Sequence, residues 1–232
     1  MNKLNSTIIG AFCHEFERRC MSLLSEAYTD AKSKYKITID YEEENISAIL
    51  FDYIDNCSQA EKWDIHISDE FRIYNDSILQ GKKSAKSAPR TDLRFGMWSN
   101  GAKLTYFVEA KNLIETNCSK KGRKSKIFAQ YLHKRYIATG IDNYLSGHYP
   151  SNGCLIGYIL QGETENIIGR INQHLQNCSR EPEILIRQSF GLPNFDSAYL
   201  SKHKNNITIK HLMFDFTVNK DYKPISPFPT AL

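Results

Sequence analysis

No stretch of this chain is apolar for long enough to cross a membrane, and its N-terminus, MNKLNSTIIGAFCHEFERRC, lacks the apolar run of a secretory signal. Export and membrane anchoring are therefore not expected. The six cysteines (Cys13, Cys20, Cys57, Cys118, Cys154 and Cys178) are expected to be free thiols in a reducing cytoplasm. No two of them form a C-x-x-C pair, which argues against a zinc ribbon or a thioredoxin-type motif. Cys13, His14 and Cys20 sit close together, but an apolar helix with small buried thiols accounts for them without zinc. Internal repeats and low-complexity linkers are missing too. His133, His148, His203 and His211 have no metal-site or triad spacing, and Ser-His-Asp catalysis lacks its nucleophile elbow. The alternation Tyr199, Ser201, His203 is strand-like and has no assigned role. Extreme charge is absent as well: a net +4 permits a polyanionic partner without requiring one.

What is present reads as one mixed α/β domain. The chain has 232 residues with 41% hydrophobic and 24% charged residues, ordinary proportions for a folded protein. Apolar residues recur at helical spacing over residues 6 to 30 (Ile8, Ile9, Phe12, Phe16, Leu23, Leu24, Ala27) and again over about 42 to 55. WDIHIS, 63 to 68, alternates like a strand. QGKKSAKSAP, 80 to 89, is a small, polar, basic loop. A helix is expected from about 127 to 139, followed by turns through GIDNYLSGHYPSNG. CLIGYILQ, 154 to 161, is a run typical of a strand buried on both faces. A helix over 164 to 177 and a strand over 207 to 216 follow, and the Pro-rich tail DYKPISPFPTAL is irregular.

The stretch RTDLRFGMWSNGAKLTYFVEAKNL, 90 to 113, carries the chemistry. Asn-Gly between alternating strands is a strong hairpin signal. With Asn100 and Gly101 as the central turn residues, counting outward pairs Leu93 with Val108, Phe95 with Tyr106 and Met97 with Leu104, all apolar or aromatic. The same register sets Asp92 opposite Glu109, and Lys111 opposite Arg90 on that face. Like charges directly opposite destabilise a ladder. A divalent cation between them reverses the sign, since magnesium takes one or two carboxylates and completes its shell with water and phosphate. A nearby lysine can serve a phosphate or an attacking water. A ladder of salt bridges among Arg90, Arg94, Lys111 and the two acids is the alternative.

At these residues the chain resembles the PD-(D/E)xK, or restriction-endonuclease-like, nuclease superfamily. Pro89-Arg90-Thr91-Asp92 and Glu109-Ala110-Lys111 match its motif, with the proline displaced from its usual place before the aspartate. The resemblance implies a restriction-endonuclease-like core, a central mixed sheet flanked by helices, over about residues 40 to 161. Residues 1 to 39 would be a helical extension and 162 to 232 an elaboration. It implies a Mg2+-dependent nuclease, with Mn2+ able to substitute, in which Asp92 and Glu109 bind the metal and Lys111 assists the water. A further helix carboxylate is expected from Glu42 or Glu43. Glu43 is preferred because Glu43-x-x-Ile46-Ser47 is similar to the family's usual helix start, while acids at a helix N-terminus are favourable in any case. Gln130 is present but position 134 is lysine, so the Q-x-x-x-Y signature of the exonuclease-like branch is incomplete. Lys82, Lys83, Lys86 and Arg90 on one flank, and Lys120, Lys121, Arg123, Lys124 and Lys126 on the other, are expected to track a phosphate backbone. Tyr131, Tyr136, Tyr144 and Tyr149 are better explained by helix packing than by base stacking. DNA is the implied partner, with RNA open, and a homodimer or a defence-system protein is a further one. A nucleic-acid-binding or assembly module on the same fold, without chemistry, remains the other class.

Overall fold

The computed structural model describes residues 6–99, 101–122 and 126–217, and only the backbone of 6–9. Asn100, Arg123, Lys124 and the tail from 218 onward lie outside the described residues. The chain runs α1 (Ser6–Lys34), α2 (Glu43–Asp55), α3 (Ser58–Lys62), β1 (His66–Arg72), α4 (Asp76–Leu79), β2 (Arg90–Ser99) and β3 (Ala102–Ile114). It continues with β4 (Cys118–Ser119), β5 (Lys126–Ile127), α5 (Ala129–Arg135), a π-helical turn (Tyr136–Ile141), α6 (Asp142–Leu145), β6 (Gly153–Gln161) and α7 (Thr164–Asn177). The last elements are β7 (Ile186–Arg187), β8 (Ala198–Lys202) and β9 (Thr208–Asp215).

Seven strands form one mixed sheet in the order β1-β2-β3-β6-β9-β8-β7. β1, β2 and β3 form an antiparallel meander, β3, β6 and β9 are parallel, and β8 and β7 return antiparallel. One face of the sheet packs on α1 and α2, through Leu24, Ile46, Leu50, Phe95, Val108, Ala110 and Ile156. The other packs on the π-turn, α6 and α7, through Tyr136, Tyr144, Ile167, Leu113, Leu155 and Met213. β6 lies between these layers, which is why its sequence is apolar at successive positions on both faces. Among the described residues no helix is long and apolar enough to cross a membrane.

The hairpin register is the expected one. Ser99 pairs with Ala102, Met97 with Leu104, Phe95 with Tyr106 and Leu93 with Val108, and Gly101 takes φ +77, as a two-residue turn of this type requires. Other expectations change. The strand foreseen over 63 to 68 begins only at His66, because Trp63 closes α3 and Asp64 turns the chain at φ 55. The helix foreseen over 127 to 139 starts at Ala129 and continues through the π-turn to Leu145, where turns were expected. α1 is not an appendage: Cys20, Met21, Leu23, Leu24, Ala27 and Ala31 are buried in the core shared with β2 and β3. The segment after 162 supplies three of the seven strands.

Candidate active site

The hydrogen-bonded ladder between β2 and β3 stops at Leu93 and Val108. Asp92 therefore does not sit in a ladder pair with Glu109, nor Arg90 with Lys111, as simple extension of the register predicts. β2 instead stays with β1, where Thr91 pairs with Phe71 and Arg90 with Arg72, and the pairing skips Glu70 and Asp92. Glu70 has φ 42 at this irregularity. β2 and β3 thus diverge like the arms of a fork, while β3 continues against β6 through Ile114.

A strand that loses a neighbour exposes alternate backbone N–H groups, and buried ones need acceptors. Two carboxylates supply them. The Ala110 N–H donates to Asp92 Oδ2 at 2.6 Å, and the Asn112 N–H donates to Glu43 Oε1 at 2.9 Å. Glu43 comes from the first turn of α2 and is buried, while Glu42 and Glu44 are exposed. Glu43 is also held by both arms of Arg135, at 2.7 and 2.8 Å. This bidentate pair spans 92 residues of sequence and closes α5 onto α2.

Glu109 and Lys111 share a face of β3 and are both 5% exposed. Lys111 Nζ donates to Glu109 Oε1 and, at 3.0 Å, to the Ala110 carbonyl. The Tyr149 hydroxyl stands close enough to the Glu109 carboxylate to favour its charged form, and Asn143 Nδ2 donates to that hydroxyl at 3.2 Å. Burial pushes Glu109 up to about 8, the neighbouring Asp92 charge adds to the rise, and Lys111 opposes it. Asp92 is raised to about 6, again mainly by burial, with Lys111 and the Ala110 N–H pulling the other way and Glu43 pushing up. Of the salt-bridge ladder only the Lys111–Glu109 pair forms: Arg90 pairs with Glu70 at 2.9 Å, and the Arg94 guanidinium lies over the Phe71 ring at 4.4 Å.

The donor set fits a hard divalent cation in part. Asp92 keeps partial exposure, and its Oδ1 accepts no hydrogen bond among the described residues. The raised pKa values come first from burial, so both carboxyls are harder to ionise than free ones. Two carboxylates are a usual protein share for magnesium. Glu43 is not brought to the pair, because Arg135 and Asn112 hold its carboxylate. Among the described residues no three His, Cys, Asp or Glu side chains converge on one metal position.

The basic flanks separate. Lys82, Lys83 and Lys86 are exposed on the segment before β2. Lys120 is drawn onto Glu42 at 2.6 Å, the Lys121 N–H donates to Asp40 Oδ1 at 2.8 Å, and Lys126 is exposed on β5. Tyr136, Tyr144 and Tyr149 are buried, as packing required, and Tyr131 is exposed.

The sequence left two parts of this region unassigned. Arg135 carried no signal, because its partner is distant in the chain. Ser201 and His203, noticed as an alternation, belong to a buried chain of hydrogen bonds. Tyr136 OH meets His211 Nδ1 at 2.9 Å, His211 Nε2 meets Ser201 Oγ at 2.8 Å, and Ser201 Oγ meets His203 Nε2 at 2.7 Å. His203 Nδ1 then meets Glu183 Oε2 at 2.6 Å. One tautomer assignment satisfies every member with both histidines neutral: each hydroxyl or N–H donates in turn from Tyr136 toward Glu183. Burial holds His211 down to about 3, which agrees with the neutral form. Ser201 is 1% exposed, so this resemblance to a hydrolase triad has no access for a substrate. The chain ties the π-turn to β8 and β9.

Comparison with known proteins returns no matching family model, no matching curated protein and no matching solved structure.

Proposed function

We propose that the chain is a metal-dependent nuclease that hydrolyses phosphodiester bonds in DNA, on a restriction-endonuclease-like core. One observation carries this reading: the β2–β3 fork gathers Asp92, Glu109 and Lys111 around the Ala110 backbone, two carboxylates and a lysine in a desolvated place. Beyond the Ala110 N–H that Asp92 satisfies and the charge that Glu109 gives Lys111, two carboxylates buried together cost the fold free energy. Asp92 at the mouth and Glu109 behind it would hold Mg2+ or Mn2+. When bound, the metal would polarise a phosphoryl oxygen and lower the pKa of a coordinated water. Lys111, fixed by Glu109 and the Ala110 carbonyl, places a positive charge where the phosphorus centre gains negative charge. Water adds to phosphorus, one P–O ester bond breaks, and the products are a phosphate monoester and a free hydroxyl. Glu43, locked by Arg135, keeps the freed edge of β3 in place and so positions Lys111.

The test is plasmid cleavage with magnesium by the wild-type protein, Asp92→Asn and Lys111→Ala. Each substitution should reduce cleavage by about 100-fold or more, the usual scale for a group that stabilises developing charge. Unchanged cleavage in both variants would sink the assignment. The closed Glu109–Lys111 pair, with no third acidic ligand beside it among the described residues, favours a second reading: a nucleic-acid-binding module without chemistry. Calorimetric titration with magnesium or manganese separates the two. DNA binding without metal binding selects the module.

A further inference from the structure

Charge separates one concavity from four others among the described residues. The cleft between the 73–89 segment and the 143–149 turn, of about 780 Å3, has no carboxylate on its wall. The other four each carry at least one, among them Glu43, Glu115, Glu17 and Asp55. One side of this cleft presents Lys83 and Ser87, and the other presents Asn143 and His148. Ile78 and Pro89 supply an apolar surface between them. The Lys83 ammonium is the group that can hold a phosphate oxygen, since Ser87 Oγ donates to the Ser84 carbonyl and Asn143 Nδ2 to the Thr139 carbonyl and the Tyr149 hydroxyl. The walls therefore suit an anion and repel none.

Tyr149 joins this cleft to the site already described. It lines the cleft, while its hydroxyl stands near the Glu109 carboxylate on the inner side. Its ring packs edge-on to Tyr144 at 5.3 Å. Glu109 and Lys111 lie one side chain behind the cleft wall. The volume is in the range of about 300–1,000 Å3 that encloses a compact ligand. A base-paired duplex is far thicker, offering grooves about 12 Å and 6 Å wide on its outside. An unpaired strand can thread such a cleft, and a duplex meets only its rim.

We propose that this cleft binds a single unpaired nucleic-acid strand, phosphates toward Lys83 and His148 and a base against Ile78 and Pro89, and leads it past Tyr149 to the Asp92–Glu109 pair. The last clause rests on the nuclease reading, and the binding does not. The experiment is fluorescence anisotropy with the full chain in EDTA at low salt. The probes are a labelled thymidine DNA strand, a uridine RNA strand and a blunt DNA duplex. The strand should bind at least about tenfold tighter than the duplex. Lys83→Glu should weaken strand binding by about tenfold and lower the slope of log affinity against log salt by about 1 to 2. Lys204→Glu, an exposed lysine between β8 and β9, should change neither. Tighter binding of either strand supports the proposal, and the DNA-to-RNA ratio names the natural one. Equal binding of strand and duplex, no binding of either strand, or equal losses in the two lysine variants overturns it. Strand binding that survives with no cleavage in magnesium leaves the cleft assignment standing and removes only the nuclease reading.

Discussion

Glu109→Gln should stabilise the protein, by an amount that grows with pH. Glu109 is 5% exposed, and burial first, then the Asp92 charge, raise its pKa from the ordinary 4.5 to about 8. In that window the folded chain holds a proton that the unfolded chain has released, so protonation favours folding. This contribution is fully present below about 4.5 and is lost as the pH rises through about 8. Each pH unit inside the window is worth about 1.36 kcal/mol. Because the group is half titrated at pH 8, the wild-type chain should lose about 2 kcal/mol between pH 6 and pH 8 that the glutamine variant keeps. Asp92, raised only to about 6, has made most of its change below that interval. The buried His133, His203 and His211 have lowered pKa values and gain stability over the same rise. Comparing two proteins that share them removes their effect. For a chain of this size about 1 kcal/mol moves Tm by 2–4 °C. Melts in EDTA, followed by circular dichroism, should show the gap between variant and wild type widening by about 4–8 °C from pH 6 to pH 8. Magnesium should then raise the wild-type Tm at pH 8 and leave the variant unmoved. A gap that stays constant with pH, or a variant less stable than wild type at pH 8, would refute the reasoning.

Arg135→Met should cost about 3–5 kcal/mol in urea unfolding, because it leaves the buried Glu43 carboxylate without its cation. The double variant Glu43→Gln with Arg135→Met should recover much of that loss, and no recovery would mean that the ion pair is not the cause. Tyr136→Phe should cost about 1–3 kcal/mol by leaving His211 Nδ1 buried without its donor, read in the same urea assay. Gly153→Ala should cost about 3 kcal/mol, since its Cβ would stand 2.1 Å from the Phe107 carbonyl oxygen and force β3 from β6. A thermal melt of Gly153→Ala indistinguishable from wild type would contradict that packing.

Local patterns were legible without the structure. The turn residues Asn100-Gly101 and the apolar alternation on both sides specify the β2–β3 register as far as Leu93 and Val108, because period-two burial tolerates no slip. Helical spacing located α1, α2 and α7. Which of Glu42 and Glu43 is buried was not legible from helical spacing, and the structure buries Glu43. The start of the π-turn fell within the foreseen helix, but its end and α6 were not legible, since Gly140 and the polar residues after it read as turns until Ile141 and Tyr144 are seen packed on the sheet.

The sequence by itself determined which residues could share a face: Asp92, Glu109 and Lys111 stand at positions that the hairpin must bring to one side. Only the tertiary structure decided what they do there. The ladder opens before reaching them, because β2 follows β1 at the irregularity around Glu70 and leaves N–H groups that Asp92 and Glu43 must satisfy. Whether a carboxylate titrates near 4.5 or near 8 depends on what covers it, and Tyr149 and Arg135 arrive from segments far along the chain. Periodicity and turn chemistry act between neighbours in sequence. Desolvation, ion pairing and access act between neighbours in space.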